Sequence, residues 1–258
     1  MKKVTLIILI ALLAVAAVVL AAAFVPKMLE DRHLTVGITA TSDVICFKNS
    51  QNEWQGVACD TIRAIAEKTG YTVEFKKINA ADCEKLLKKG DIDCYLASTD
   101  AYIEKTASTE VFLYSLQNVI YKNIFALDNI EPATLKNYTC AVVSDSFNEQ
   151  YLTEQGVKSI KKFQSTSDVI TAVNSGACKV GIIDFGVYLS VIKGNEAYKK
   201  IMSGVLTDSC PFSLVFREKD APRIEKLNDS IETLKSDDTY MQILEEYNFD
   251  SQQPFMVY

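Results

Sequence analysis

The chain has 258 residues, of which 48% are hydrophobic and 23% charged, with only 10 Gly and 5 Pro, so it can bury a core and is neither collagen-like nor disordered. The net charge of −6 disfavours nucleic acid as a partner, because an acidic surface repels phosphate. The single histidine, His33, excludes a His-rich metal site and leaves a Ser-His-Asp triad only if His33 itself serves. We expect no cofactor.

The N-terminus forms a separate segment. Lys2 and Lys3 precede an apolar run over residues 4–25, interrupted only by Thr5, which is long enough to cross a bilayer core of about 30 Å. Two interpretations are open: residues 1–26 are a cleaved export signal, processed near Ala21–Ala23, or they are an uncleaved membrane anchor. Both place the rest of the chain outside the cytoplasm.

From residue 34 the sequence predicts a first unit of alternating strands and helices. The predicted strands are 34–38, 73–78 and 92–97, the predicted helices are 60–68 and 82–89, and a hairpin joins 44–47 to 54–57. Asp60 is the predicted N-cap of the first helix, and Gly70 and Gly90 are the predicted helix ends.

A second unit repeats this order. Its predicted strands are 139–143, 162–164 and 180–183, and its predicted helices are 146–154 and one from Ser165 or Thr166 to Gly176. The remainder predicts a strand at 212–216, a helix at 221–234 and a last helix capped by Thr239.

Polar residues follow several of these strands, namely Thr39, Ser98, Asp100, Ser146 and Asp184. Alternating strands and helices imply parallel sheets, in which ligands bind beyond the carboxyl ends of the strands. These residues are therefore candidate ligand contacts. The alternative for each of them is helix capping or loop solubility.

Five short motifs occur in an order that resembles the extracellular solute-binding proteins of family 3, the polar amino-acid type that serves ABC importers. The motifs are Leu-Thr-Val-Gly at 34–37, Gly56 with Asp60, Lys-Gly-Asp-Ile-Asp at 89–93, Ser-Gly at 175–176 with Val-Gly-Ile-Ile-Asp at 180–184, and residues 237–247. The resemblance covers nearly all of residues 34–250.

The resemblance implies an α/β fold with two lobes joined by two hinge crossovers, near Asn118 and Cys210. Lobe 1 would comprise residues 34–118 plus 211–258, and lobe 2 residues 119–210. The implied function is to capture a small polar solute, an amino acid or related amine, and to deliver it to a membrane permease as a monomer.

The resemblance also implies ligand contacts. Asp184 matches a carboxylate that holds a ligand's α-ammonium, and Ser146 matches a hydroxyl at a helix N-terminus that helps bind the α-carboxylate. Ser98 and Asp100 lie where the family uses small hydroxyl residues and backbone N–H groups.

Some positions depart from the family pattern. Lys105 replaces an arginine that clamps the carboxylate, and lysine cannot form the same bidentate contact. Ser42 replaces a stacking aromatic residue, Thr39 replaces an Asp of receptors for cationic amino acids, and Asp100 replaces a Ser. Three interpretations are open: the changed pocket holds a zwitterion, it suits a more cationic ligand, or the domain has lost amino-acid binding.

Two other functions remain open on the same fold. One is a membrane-anchored sensor ectodomain. The other is an enzyme related to dehydratases of prephenate-like acids, with Asp100 or Asp184 as the general acid.

The seven cysteines contain no Cys-x-x-Cys motif. From the implied fold, Cys140 and Cys178 lie at the starts of neighbouring strands and form the candidate disulfide. Cys46 and Cys59, which flank the hairpin, are a weaker candidate pair.

Overall fold

The structure is a computed structural model that describes residues 32–97, 105–122 and 129–247. Its strands are β1 His33–Ile38, β2 Phe47–Lys48, β3 Trp54–Gln55, β4 Thr72–Lys77, β5 Cys94–Ala97, β6 Thr106–Ser108, β7 Leu113–Tyr121, β8 Asn129–Ile130, β9 Cys140–Val143, β10 Ile160–Phe163, β11 Val180–Asp184 and β12 Met202–Arg217. Its helices are α1 Val57–Thr69, α2 Cys83–Lys89, α3 Pro132–Leu135, α4 Phe147–Glu154, α5 Thr166–Ser175, α6 Phe185–Val187, α7 Ala221–Lys235 and α8 Asp238–Glu246. The predicted alternation of strands and helices is confirmed.

The main sheet consists of two parallel groups joined by antiparallel strands. Its order is β10-β9-β11-β7-β12-β5-β1-β4, with β6 and β8 also paired to β12, while β2 and β3 form a separate hairpin. One group, β5-β1-β4, is parallel, and so is the other, β10-β9-β11. Between them β7 and β12 run antiparallel to each other and to their outer neighbours β11 and β5.

Strand β12 is the element on which the sequence and the structure differ most. The sequence predicts a strand only at 212–216, whereas the structure has one of 16 residues, Met202–Arg217. Its first part pairs with β7 and its last part, from Ser213, pairs with β5. The earlier part contains glycine, polar residues and Pro211, which weaken a local strand pattern, but pairing with β7 and β8 satisfies its backbone.

The predicted cap of the first helix is wrong. Helix α1 begins at Val57, with Gly56 as its N-cap at φ 117°. A Cβ at Gly56 would lie 2.6 Å from the carbonyl oxygen of Ile45, so only glycine fits at this N-cap position. Asp60 lies within the helix, where it contacts Arg63 and accepts a hydrogen bond from the Tyr247 hydroxyl.

The cap of the last helix also differs from the prediction. The carboxylate of Asp237 accepts a hydrogen bond from the backbone N–H of Thr239 at 2.7 Å, so Asp237 is the N-cap. The predicted glycine ends are confirmed, since Gly70, Gly90 and Gly176 all adopt the left-handed conformation.

Two contacts in the core hold the crossing strands in place. The Phe147 ring packs edge-on against Phe212 with ring centroids 5.0 Å apart, which joins α4 to β12. The buried Tyr240 hydroxyl donates to the carbonyl of Phe112 at 2.7 Å, which ties α8 to the segment before β7.

The predicted signal or anchor at residues 1–26 lies outside the described residues. Among the residues that the structure does describe, no helix combines the length and apolar character that a membrane span requires.

Candidate functional site

A cavity of about 510 Å³ lies between the two parallel groups of strands. It is bordered by the segment after β1, with Thr41, Ser42 and Asp43, and by the segment between β9 and α4, with Asp145 and Ser146. Phe47, Lys48, Trp54, Lys77, Val143, Ser144, Asn148, Gln164, Thr166 and Asp184 complete the lining. The volume is in the range of sites for small ligands.

Asp184 is the most buried charged group of this cavity. It stands at the end of β11 with 4% of its surface exposed, and its Oδ1 has no hydrogen-bond partner among the described residues. Burial raises the pKa of this carboxyl to about 6, and the nearby Asp43 adds to the effect. Hydrogen bonding from Ser42 and Asn148 partly offsets this rise in pKa. Asp184 is therefore a carboxylate with unused accepting capacity.

Ser42 is brought to Asp184 by a tight turn. Its hydroxyl oxygen accepts from the backbone N–H of Ile45 at 2.8 Å and from that of Val44 at 3.1 Å. The hydroxyl hydrogen remains for the Asp184 carboxylate, which Ser42 helps to keep ionised. The structure thus brings these two predicted residues together.

Ser146 lines the cavity, but its hydroxyl is used within the protein. As the N-cap of α4 it accepts from the backbone N–H of Glu149 at 3.2 Å and donates to the carbonyl of Val143 at 2.6 Å. Only 3% of the residue is exposed. The structure therefore gives Ser146 the capping role that the sequence left open as an alternative.

A backbone bridge joins the two sides of the cavity. The N–H of Thr41 donates to the carbonyl of Asp145 at 3.1 Å, and the N–H of Phe147 donates to the carbonyl of Thr41 at 3.3 Å. Thr41 and Ser146 thereby form a parallel β-bridge. Thr41 carries no recognisable signal in the sequence, because it acts here through backbone groups, which every residue has.

Thr39 borders an adjoining cavity of about 490 Å³, which also reaches Ser146 and Lys77. Its carbonyl accepts from Lys77 Nζ at 3.2 Å. Burial lowers the pKa of Lys77, and the nearby Asp145 partly opposes this. Lys77, Asn148 and Trp54 are lining residues that the sequence analysis missed, since none of them belongs to the motifs.

The structure does not place Lys105 among the residues that line either cavity. Its side chain borders another depression of about 370 Å³ with Leu87, Arg217 and Glu218, among others. Its backbone carbonyl accepts from the N–H of Glu218 at 3.1 Å, which fixes the segment there. Ser98 and Asp100 lie outside the described residues.

The predicted disulfide is not formed in the structure, where Cys140 and Cys178 are free, buried thiols. The strands β9 and β11 do pair, but Cys140 lies opposite Val180, so Cys178 precedes the matching position by two residues. Burial, with a contribution from Cys178, raises the pKa of the Cys140 thiol to about 12. Cys46 and Cys59 are likewise free thiols. Their side chains are hydrogen-bonded, and this contact, together with burial, raises the pKa of Cys59.

Within the described ranges, no three His, Cys, Asp or Glu side chains come close enough to share a metal ion.

Residues 34–251 match the family of bacterial extracellular solute-binding proteins, family 3, and the chain belongs to that family. The ABC transporter glutamine-binding protein GlnH of Bacillus subtilis is 20% identical over 225 residues, covering 84% of this chain and 82% of GlnH. The probable ABC transporter arginine-binding protein ArtJ of Chlamydia trachomatis serovar D is 25% identical over 168 residues, covering 64% of this chain and 65% of ArtJ.

Solved structures show the same relationship. An ancestral arginine-binding protein bound to glutamine has 26% identity and a TM-score of 0.62, covering 85% of this chain and 99% of its own. An ancestral arginine-binding protein bound to arginine has 27% identity and a TM-score of 0.61, and the match covers 84% of this chain and 98% of that protein. The predicted family and the two-lobed α/β fold are confirmed.

Proposed function

We propose that this chain is the solute-binding component of an ABC-type importer, which captures an amino acid or a related amine between its lobes and delivers it to a membrane permease. The observation that carries the proposal is the buried Asp184 carboxylate, whose Oδ1 has no partner among the described residues. It lies in a cavity that is bordered by both parallel groups of strands. A ligand ammonium supplies the missing donor and the compensating charge.

The proposed lobe boundaries are residues 34–118 plus 211–258 for lobe 1 and 119–210 for lobe 2, with hinges near Asn118 and Cys210. The pairing of β7 with β12 supports this division, because the register shifts between Val205 and Ser209. An irregular ladder bends more easily than a regular one, which suits a hinge for closure.

The proposed setting is extracytoplasmic, with the chain acting as a monomer and residues 1–26 serving as either an export signal or an anchor. Membership in a family of extracellular proteins supports this setting. We place the chain among binding proteins and not enzymes, since the named relatives are a glutamine-binding and an arginine-binding protein.

Isothermal titration calorimetry against the common amino acids, polyamines and other small amines tests the proposal. We expect saturable binding of at least one amino acid or amine by the wild-type protein and its loss in Asp184→Asn, which keeps the shape and removes the charge. Binding that is equal in both proteins would show that the cavity is not the ligand site. Absence of binding across the panel would contradict capture of this class of solute.

A further inference from the structure

The first backbone N–H group of helix α4 is already hydrogen-bonded within the protein. The carbonyl of Thr41 accepts from the N–H of Phe147, the first residue of α4, at 3.3 Å. The N–H of Glu149, two residues further on, is bound to the Ser146 hydroxyl. Free N–H groups at a helix start are what a ligand carboxylate would use, so Thr41 takes the place of such a carboxylate.

The cationic side chains of the cavity are also engaged by protein acceptors. Lys77 Nζ donates to the Thr39 carbonyl, and Lys48 Nζ donates to Asn52 Oδ1 at 2.9 Å. The Lys48 ammonium also lies 5.2 Å from the centre of the Trp54 ring, within the range of a cation–π contact. A ligand carboxylate would have to compete with these contacts.

The atoms that lack a partner at this cavity are acceptors. Asp184 Oδ1 and Asn148 Oδ1 have no hydrogen-bond partner among the described residues, and the two residues are 4% and 5% exposed. The lining contains three carboxylates, on Asp43, Asp145 and Asp184, against two lysines. Unpaired buried acceptors and an excess of negative charge favour a ligand that donates hydrogen bonds and carries positive charge.

We infer that this cleft selects organic amines that lack an α-carboxylate, because the Thr41 carbonyl holds the helix position that the carboxylate of an amino acid would occupy. This inference rests on the proposed function and narrows its ligand class. The ammonium of the ligand donates to Asp184 Oδ1 and Asn148 Oδ1. Binding an α-amino acid requires breaking the Thr41–Phe147 hydrogen bond and placing a fourth carboxylate beside the three that line the cavity.

Matched ligand pairs test the inference on the wild-type protein. Each pair consists of an amino acid and the amine left when its carboxylate is removed: arginine and agmatine, lysine and cadaverine, histidine and histamine. Calorimetric titration at one pH and one ionic strength gives Kd for all six ligands. We expect the amine to bind more than threefold more tightly than its amino acid in every pair in which either compound binds.

Each other result overturns the inference in a recognisable way. If an amino acid binds as tightly as its amine or more tightly, the carboxylate is accommodated, and the proposed function stands without this restriction. If none of the six ligands binds but another amino acid from the wider panel does, the inference alone fails. If no amino acid or amine of any kind binds, the proposed function fails with it.

Discussion

Asp184 lies directly opposite Gln117 in the antiparallel pairing of β11 with β7. Opposed residues of such a pair project to the same face of the sheet, so the side chains of Gln117 and Asp184 leave the sheet on the same side. Gln117 is 1% exposed, and neither its amide oxygen nor its amide nitrogen has a hydrogen-bond partner among the described residues. Strand β7 thus places polar atoms that have no partner among the described residues on the same face of the sheet as Asp184.

Replacing Asp184 by Asn is expected to weaken amine binding by at least about 100-fold, since losing a buried charge partner typically costs several kcal/mol. The same change should stabilise the ligand-free protein at pH 8 by roughly 1–3 kcal/mol, because a buried, poorly compensated carboxylate is removed. Calorimetric titration and urea unfolding measure the two effects. A variant that loses stability without losing affinity would contradict the assignment.

The affinity for an amine should depend on pH through Asp184, whose pKa is raised to about 6 by burial. The carboxylate is ionised above this pH, so affinity is expected to be constant there and to fall about tenfold for each unit well below it. Titrations from pH 4.5 to 8 with an amine that stays protonated check the slope. Because Asp184→Asn is expected to lose binding, the control is Ser42→Ala, which removes a hydrogen bond that lowers the Asp184 pKa and should move the midpoint of the titration to higher pH. An unchanged midpoint would assign the titration to another group.

The stability of the ligand-free protein should respond to pH in the opposite sense. The folded chain retains the Asp184 proton up to about pH 6, whereas the unfolded chain loses it near pH 3.8. The contribution of this group to stability is therefore full below about pH 4 and is lost as pH rises to about 6. Comparing wild type with Asp184→Asn in urea at pH 4 and pH 8 isolates it. A difference in stability between the two proteins that is the same at both pH values would contradict the raised pKa.

Asn148 tests the acceptor role. Its amide hydrogen-bonds to Asp184, while its Oδ1 has no partner among the described residues. Asn148→Leu removes this acceptor at similar volume and should weaken amine binding by about 1–3 kcal/mol. Calorimetric Kd values for the wild type and the variant measure the loss, and an unchanged Kd would show that Asn148 Oδ1 does not contact the ligand.

Gly181 in β11 should not tolerate a methyl group. A Cβ there would lie 2.9 Å from methyl carbons of Val169 and Val173. Gly181→Ala is expected to cost about 1–3 kcal/mol, or some 2–4 °C in Tm for each kcal/mol. The double variant Gly181→Ala/Val173→Ala makes room for the added methyl, so the cost of Gly181→Ala should shrink in that background. Fully additive losses would contradict the packing argument.

The sequence alone determined the alternation of strands and helices, because apolar periodicity and glycine helix ends are local features. It also determined that Asp184 follows a buried strand, where ligands of α/β proteins bind. The sequence also places Ser146 at the start of α4, because a serine before a helix is a local capping signal.

The tertiary structure alone decided which groups of the candidate site are already paired within the protein. The hydrogen bond between Thr41 and Phe147 joins backbone atoms of residues more than 100 positions apart in the sequence, and neither side chain indicates it. The full length of β12 and the burial that raises the Asp184 pKa depend on neighbouring strands and not on local pattern. Long-range backbone pairing and desolvation are properties of the folded chain, because they arise only when distant segments exclude water from one another.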